Sequence, residues 1–144
     1  MSDAPRLVFD TNILISHLLI PTGIPAKAVR KGLHMGQLIV SDDTLNELAS
    51  VISRPKFDRY ISLQNRKDFF RFLGRVVERV TIIRKIEACR DPKDDKFLEL
   101  AVNGQSETII TGDENLLALN PFRSIRIITA SEFLGRFSKT YLKT

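Results

Sequence analysis

Cysteine is almost absent from this 144-residue chain: Cys89 stands alone. No internal disulfide can form, and a reducing cytoplasm is the compartment that fits best. Long hydrophobic runs are missing as well. The best of them, 13-ILISHLLI-20, is interrupted by Ser16 and His17 and stopped by Pro21. It falls well short of the ~18 apolar residues that a membrane span needs, so no membrane is expected among the partners. The N-terminal MSDAPRLVFD lacks a basic stretch followed by an apolar one, so no export signal is expected. Histidine is scarce too, and forms no cluster with cysteine. His17 lies in an apolar stretch and His34 near the end of a predicted helix, so both read as structural, and zinc is not the expected metal.

What is present suits one soluble domain spanning 1–144, with a core from about 6 to 137. A chain of this size buries roughly two-thirds of the surface it exposes when unfolded, enough for one compact core. Hydrophobic residues make up 43% and charged residues 27%, and the net charge is +5 with a pI of about 9.6. A basic balance suits either a polyanionic partner such as nucleic acid or simply a soluble surface.

Short β-branched or apolar runs alternate with helical patterns. RLVF before Asp10, 38-LIV-40, 80-VTIIR-84, ETIIT ahead of Gly112 and Asp113, and 125-IRIIT-129 read as strands. Helices are predicted over 13–19, over 26–36 closed by Gly36, from an N-cap in 41-SDD-43 to Arg54, from Gln64 to about Glu78, from Pro92 to near Gly104, over 114–119 and over 130–137. Such alternation predicts an α/β fold: a three-layer α/β/α sandwich around a central, mostly parallel sheet of about five strands. In parallel sheets of this kind, sites form at the carboxyl ends of the strands.

Asp10 and Asp113 each close a predicted strand. Either aspartate can be read as the N-cap of the helix that follows, Asp10 together with Asn12. Brought to one sheet edge, the two would repel and raise each other's pKa unless a cation lay between them. The segment 91-DPKDDKFLELA-101 adds three more acids. Counted around a helix of about 3.6 residues per turn, Asp94 faces the same way as Phe97, Leu98, Ala101 and Val102. Asp95 falls on the margin, beside Lys96, Glu99 and Asn103. Asp91, just before Pro92, is the natural N-cap. An inward carboxylate beside two others calls for a divalent cation, because a helix dipole contributes only about 1 kcal/mol. Glu47 lies just beyond the stripe of Leu45, Leu48, Ala49 and Ile52, and its residue environment alone reads as solvated surface.

Four blocks, VFDTN, 44-TLNEL-48, 91-DPKDDKFLELA-101 and 110-ITGDENLL-117, resemble in order and spacing the PIN-domain ribonuclease family. The likeness is particularly to toxin components of bacterial toxin-antitoxin systems of the VapC type. It runs from about Arg6 to Phe137. The resemblance implies an acidic metal site at Asp10, Glu47, Asp94 and Asp113, a supporting role for Asp91, and a structural role for Asn12. It implies Mg²⁺ or Mn²⁺ as cofactor, which also suits oxygen donors. It further implies RNA as substrate, products with 5′-phosphate and 3′-hydroxyl ends, a small antitoxin that inserts a basic side chain into the pocket, and a homodimer or higher homo-oligomer. One departure stands out: Asn115 replaces an acid that many relatives carry, which weakens a second metal position.

For RNA contact, Arg71, Arg75 and Arg79 fall at i, i+4, i+8 of a predicted helix whose other face carries Phe69, Phe72, Leu73, Val76 and Val80. The same arginines equally suit a solvated face balanced by Asp68 and Glu78. Arg54, Lys56, Arg59, Lys93 and Lys96 are further candidates for RNA contact. Rival enzyme readings fit less well. A haloacid-dehalogenase-type phosphotransferase wants a second Asp where this chain has Asn12, and a dinucleotide-binding turn wants glycine, which 10-DTNIL-14 lacks. A non-catalytic RNA-binding or partner-binding module on the same fold stays open.

Overall fold

The computed structural model describes residues 4–135. In chain order the elements are β1 (Arg6–Phe9), α1 (Thr11–Leu19), α2 (Ile24–Met35), β2 (Gln37–Val40), α3 (Asp42–Ile52), α4 (Leu63–Val76), β3 (Glu78–Arg79), α5 (Asp95–Asn103), β4 (Thr108–Ile110), α6 (Glu114–Leu117) and β5 (Arg126–Ile128). Two 3₁₀ turns, Pro55–Phe57 and Pro92–Asp94, and a helical segment at 130–135 complete the described chain. Residues 136 and 137 of the last expected helix lie outside the described residues.

The five strands make one sheet in the order β3-β2-β1-β4-β5, every neighbouring pair parallel. Side chains alternate across it, as the period of a strand requires. Leu7, Phe9, Leu38, Ile110 and Ile128 enter one core with α1 to α4 and Phe133; Val8, Ile39, Ile109 and Ile127 enter another with α5 and α6. Helices on both faces explain why β1, β2, β4 and β5 read as short apolar runs, whereas the edge strand β3 is the exposed pair Glu78 and Arg79. The expected α/β/α sandwich is the architecture that forms.

Two details aim this scaffold at one edge. From β1 the chain moves outward to β2 and β3, then returns to β4 on the other side of β1, so strand order reverses between β1 and β4. The crevice at such a reversal, outside the carboxyl ends of the strands, is where open parallel sheets place their sites. Phe9, immediately before that edge, is pinned by α2: a Cβ on Gly32 would lie 2.7 Å from the Phe9 ring, so only glycine permits this approach.

Several boundaries differ from expectation. The run 80-VTIIR-84 is not a strand; pairing falls on Glu78 and Arg79 and ends with Val80 N–H donating to Val40 O at 2.8 Å. Beyond that point β2 has no more backbone to offer. The N–H groups of Ile83 and Arg84 donate instead to Asn103 Oδ1, at 3.0 and 2.9 Å. The helix expected to reach Glu78 stops at Val76, so Arg79 and Val80 are not on it. Phe72 is 39% exposed rather than core. Helix α3 ends at Ile52, because Arg54 adopts the extended conformation that a following proline favours. On the same helix Ala49 is exposed, and buried Thr44 takes its place beside Leu48 and Ile52. The helix expected from Pro92 begins as a 3₁₀ turn and becomes α5 only at Asp95.

Candidate functional site

The backbone register of β1 and β4 builds the site's floor. Phe9 pairs with Ile110, and Asp10 N–H donates to Ile110 O at 3.1 Å, so the residues following each strand emerge side by side. Asp10 is 4% exposed. Its Oδ1 accepts from Ile13 N–H at 2.8 Å, capping α1, and its Oδ2 accepts from the Thr111 hydroxyl. Burial pushes the Asp10 carboxyl above its ordinary value. The hydrogen bonds from Thr111, Ile13 and Gly112 oppose that shift, and the Asp113 charge adds to it.

Thr111 is fully buried, and its single hydroxyl ties two acids together. It donates to Asp10 and accepts from Asp113 N–H at 2.9 Å. Asp113 in turn caps α6 through Leu116 N–H, at 3.1 Å. Both strand-end aspartates are therefore helix caps and members of one acidic edge at once; the two readings of the sequence coexist.

Glu47 reaches the same place from α3, which starts with a reciprocal Ser41–Thr44 capping box. Its Oε1 accepts from Lys96 Nζ at 2.8 Å and its Oε2 from the Thr11 hydroxyl. It is not a solvated surface glutamate: its side chain is only 24% exposed. Asp91 accepts from Lys93 N–H at 3.0 Å and caps the 3₁₀ turn.

Asp94 differs from all of these. Its Oδ2 is buried and has no hydrogen-bond partner. Its pKa is pushed up to about 6, first by desolvation, then by the charges of Asp113, Asp91, Glu47 and Asp10. A buried carboxylate oxygen left unpaired costs more than a buried pair, and the arrangement invites a cation. Asp95 turns away: its Oδ1 accepts from Ala88 and Cys89 N–H, at 3.1 and 2.7 Å. Despite some desolvation these bonds hold its carboxyl below the ordinary value. Asp95 is thus not merely marginal, since it fastens the loop before the 3₁₀ turn.

Asp10, Glu47, Asp91, Asp94 and Asp113 line one cleft of about 190 Å³, together with Asn12. Among the described residues, no three His, Cys, Asp or Glu side chains are grouped tightly enough to hold an ion by themselves. An ion here would reach some of these acids through its own waters, since Mg²⁺ takes only one or two carboxylates directly. The orphaned Asp94 oxygen and the excess of acid over base make the cleft fit a hard divalent cation. Asn12 is exposed at the cleft rather than locked in the fold, and it also lines a neighbouring hollow with Asn115 and Asp113.

Arg71, Arg75 and Arg79 do not line the cleft. Arg71 pairs with Asp68 at 3.7 Å, and Arg79, on β3, pairs with Asp42 at 3.0 Å. His17 packs on Phe69 with ring centroids 5.7 Å apart, and burial, then Arg30, lowers its pKa; it is a packing residue. Burial and nearby acids push the Cys89 thiol to about 12, so it is no nucleophile. Thr11 and Thr111 were missed by sequence reasoning, and Lys96 was read as one of several candidates for RNA contact rather than as the partner of Glu47. A threonine next to Asp10 and one shortly before Asp113 were the available signals.

A family profile described as PIN domain matches residues 6–115, which contain all five cleft acids. The chain belongs to the PIN-domain family. This PIN domain is 32% identical, over 93% of its length and 92% of the other's, to the uncharacterized protein MJ1680 of Methanocaldococcus jannaschii. Its fold matches that in the crystal structure of VapBC2 from Rickettsia felis bound to a DNA fragment from their promoter. The TM-score is 0.60 at 14% identity, covering 86% of this chain and 98% of that one. At that identity the likeness is one of fold.

Proposed function

We propose that this PIN domain, a single domain over 1–144, is a ribonuclease that hydrolyses RNA phosphodiester bonds with Mg²⁺ or Mn²⁺. The observation that carries the reading is the buried, unpartnered Asp94 oxygen in a cleft lined by four further carboxylates. Asp10, Asp94 and Asp113 would hold the ion, in part through its retained waters, with Glu47 beside them. A bound ion supplies Lewis-acid polarisation of the phosphoryl group and a lowered pKa for attacking water. The chain's own residues do the rest. Thr111 fixes the spacing of Asp10 and Asp113, Thr11 and Lys96 hold Glu47 in one orientation, and Asp91 keeps the 3₁₀ turn in place below Asp94. Following the family, cleavage leaves 5′-phosphate and 3′-hydroxyl ends.

The biological role we propose is that of a cytoplasmic toxin held inactive by a small antitoxin and paired with itself. The structural neighbour named as VapBC2 supports that reading. The acidic cleft would receive a basic side chain of such a partner, which needs no more than the negative charge already gathered there.

A mixed RNA pool incubated with Mg²⁺ or Mn²⁺, with EDTA and Asp94→Asn as controls, tests the chemistry. Cleavage abolished by both controls supports it. Binding without cleavage by the wild type favours the second reading, a non-catalytic RNA-binding or partner-binding module, for which Asn115 at the neighbouring hollow is the specific observation. Growth arrest on expression, relieved by a small neighbouring gene product, tests the toxin role separately.

A further inference from the structure

A cleft lined by five carboxylates repels a phosphate backbone, so the cations that bring RNA to it must border the cleft itself. Two basic residues do so: Arg54 and Lys93. Both are exposed, and no hydrogen bond or ion pair engages either side chain among the described residues. Three other cations are committed, while Lys85 lines a separate hollow with Asp42, Asp43 and Arg79 rather than the cleft. Lys96 is held by Glu47 at 2.8 Å, Arg79 by Asp42 at 3.0 Å, and Arg66 by Asp58 at 3.1 Å.

Neighbouring hollows make the contrast sharper. The one lined by Asp43, Glu87, Asp95 and Glu99 has only Lys96 as its cation, and that one is taken. The hollow lined by Asn12, Asp113, Glu114 and Asn115 has no cation. Local backbone favours the role as well. Arg54 is held extended ahead of Pro55, and Lys93 follows Pro92 in a turn capped by Asp91, so both side chains leave stiffened backbone. A guanidinium supplies a planar fork for phosphate oxygens, and an ammonium a compact point charge.

We propose that Arg54 and Lys93 form a phosphate clamp, holding RNA backbone phosphates next to the one presented to the carboxylates. The proposal rests on the ribonuclease reading and names the residues that bind its substrate, in place of Arg71, Arg75 and Arg79.

The test is the salt dependence of binding. A fluorescent single-stranded RNA is titrated with the Asp94→Asn protein over a range of KCl, alone and combined with Arg54→Ala, Lys93→Ala or both; circular dichroism checks the fold. Each lost phosphate contact is expected to lower the slope of log affinity against log salt by about 0.7 and to weaken binding alike for different sequences. Arg54→Lys and Lys93→Arg should restore most of the slope, and Arg71→Ala and Arg75→Ala should leave it unchanged. An unchanged slope in the folded double variant overturns the clamp, as does an equal loss from Arg71→Ala or Arg75→Ala. If the wild type fails to cleave while the slope losses appear, the hydrolase reading falls and the clamp stands.

Discussion

Lys96 Nζ lies 2.8 Å from Glu47 Oε1 and joins the first turn of α5 to α3 beside the acidic cleft. A cation in the first turn of a helix opposes the helix dipole, so the carboxylate, not the helix, stabilises it there. Lys96 is in effect an internal counter-ion for Glu47, and a metal that used Glu47 would compete with it.

Replacing Lys96 with Met is therefore expected to act in opposite directions on two measurements. Metal-free protein loses on the order of 1–3 kcal/mol, between the values typical of exposed and buried pairs, since both side chains are largely covered. Mn²⁺ affinity by calorimetry rises, because Glu47 no longer has a competing partner. Unaltered Mn²⁺ affinity would place Glu47 outside the ion's reach.

Asp94 sets a pH dependence. Its carboxyl, pushed up to about 6, binds its proton more tightly folded than unfolded. Its contribution to the stability of the metal-free protein is therefore present at low pH and lost as pH rises from the ordinary carboxyl value through about 6. Asp94→Asn removes the charge, so the variant should melt above the wild type at pH values over 6, with the gap closing as pH falls. A gap independent of pH would contradict this cause. Cleavage by the same variant should drop by more than the ~10–100-fold typical of losing an outer-shell metal partner.

Thr111→Val keeps the shape of a fully buried side chain and deletes its hydroxyl. Asp10 Oδ2 and Asp113 N–H both lose a partner, at a cost of about 1–3 kcal/mol in unfolding free energy. Cleavage and Mn²⁺ affinity should fall together although no proposed ligand has changed. Normal affinity in a destabilised variant would mean that the hydroxyl holds the fold but not the acids' spacing.

The three acids of 91–95 separate by what each carboxylate touches. Asp95→Ala should lower the melting temperature with little effect on Mn²⁺ binding, because it removes the oxygen that holds the Ala88 and Cys89 N–H groups. Asp91→Asn should be mild in both assays, since asparagine caps nearly as well. Loss of metal binding in Asp95→Ala with retention in Asp94→Asn would reverse the assignment.

Periodicity in the sequence was enough to find the layers, because both faces of the sheet are buried and the apolar runs are unbroken. Strand ends led to Asp10 and Asp113, and helical phase pointed Asp94 inward although Asp94 closes a 3₁₀ turn one residue ahead of α5. Periodicity failed at 80-VTIIR-84, where β propensity is high but a side chain, Asn103, supplies the acceptor that a neighbouring strand would have given. It also failed for Arg79, because the end of α4 at Val76 is set by tertiary contacts such as Gln37 Nε2 donating to Val76 O at 2.8 Å. The ties made by Thr11, Thr111 and Lys96 join residues 36, 101 and 49 positions apart, a distance at which local pattern carries no signal.

Asp10 and Asp113 each give one oxygen to the start of a helix. Asparagine performs that task almost as well as aspartate, but without charge. On the proposed reading, architecture and reactivity are separable at Asp113, where an Asp-to-Asn step would keep the cap and remove the charge that an ion needs. If the proposed chemistry holds, a PIN domain built this way would lie a single substitution from a pseudoenzyme, and the identity of a capping residue would tell the two apart where the fold does not.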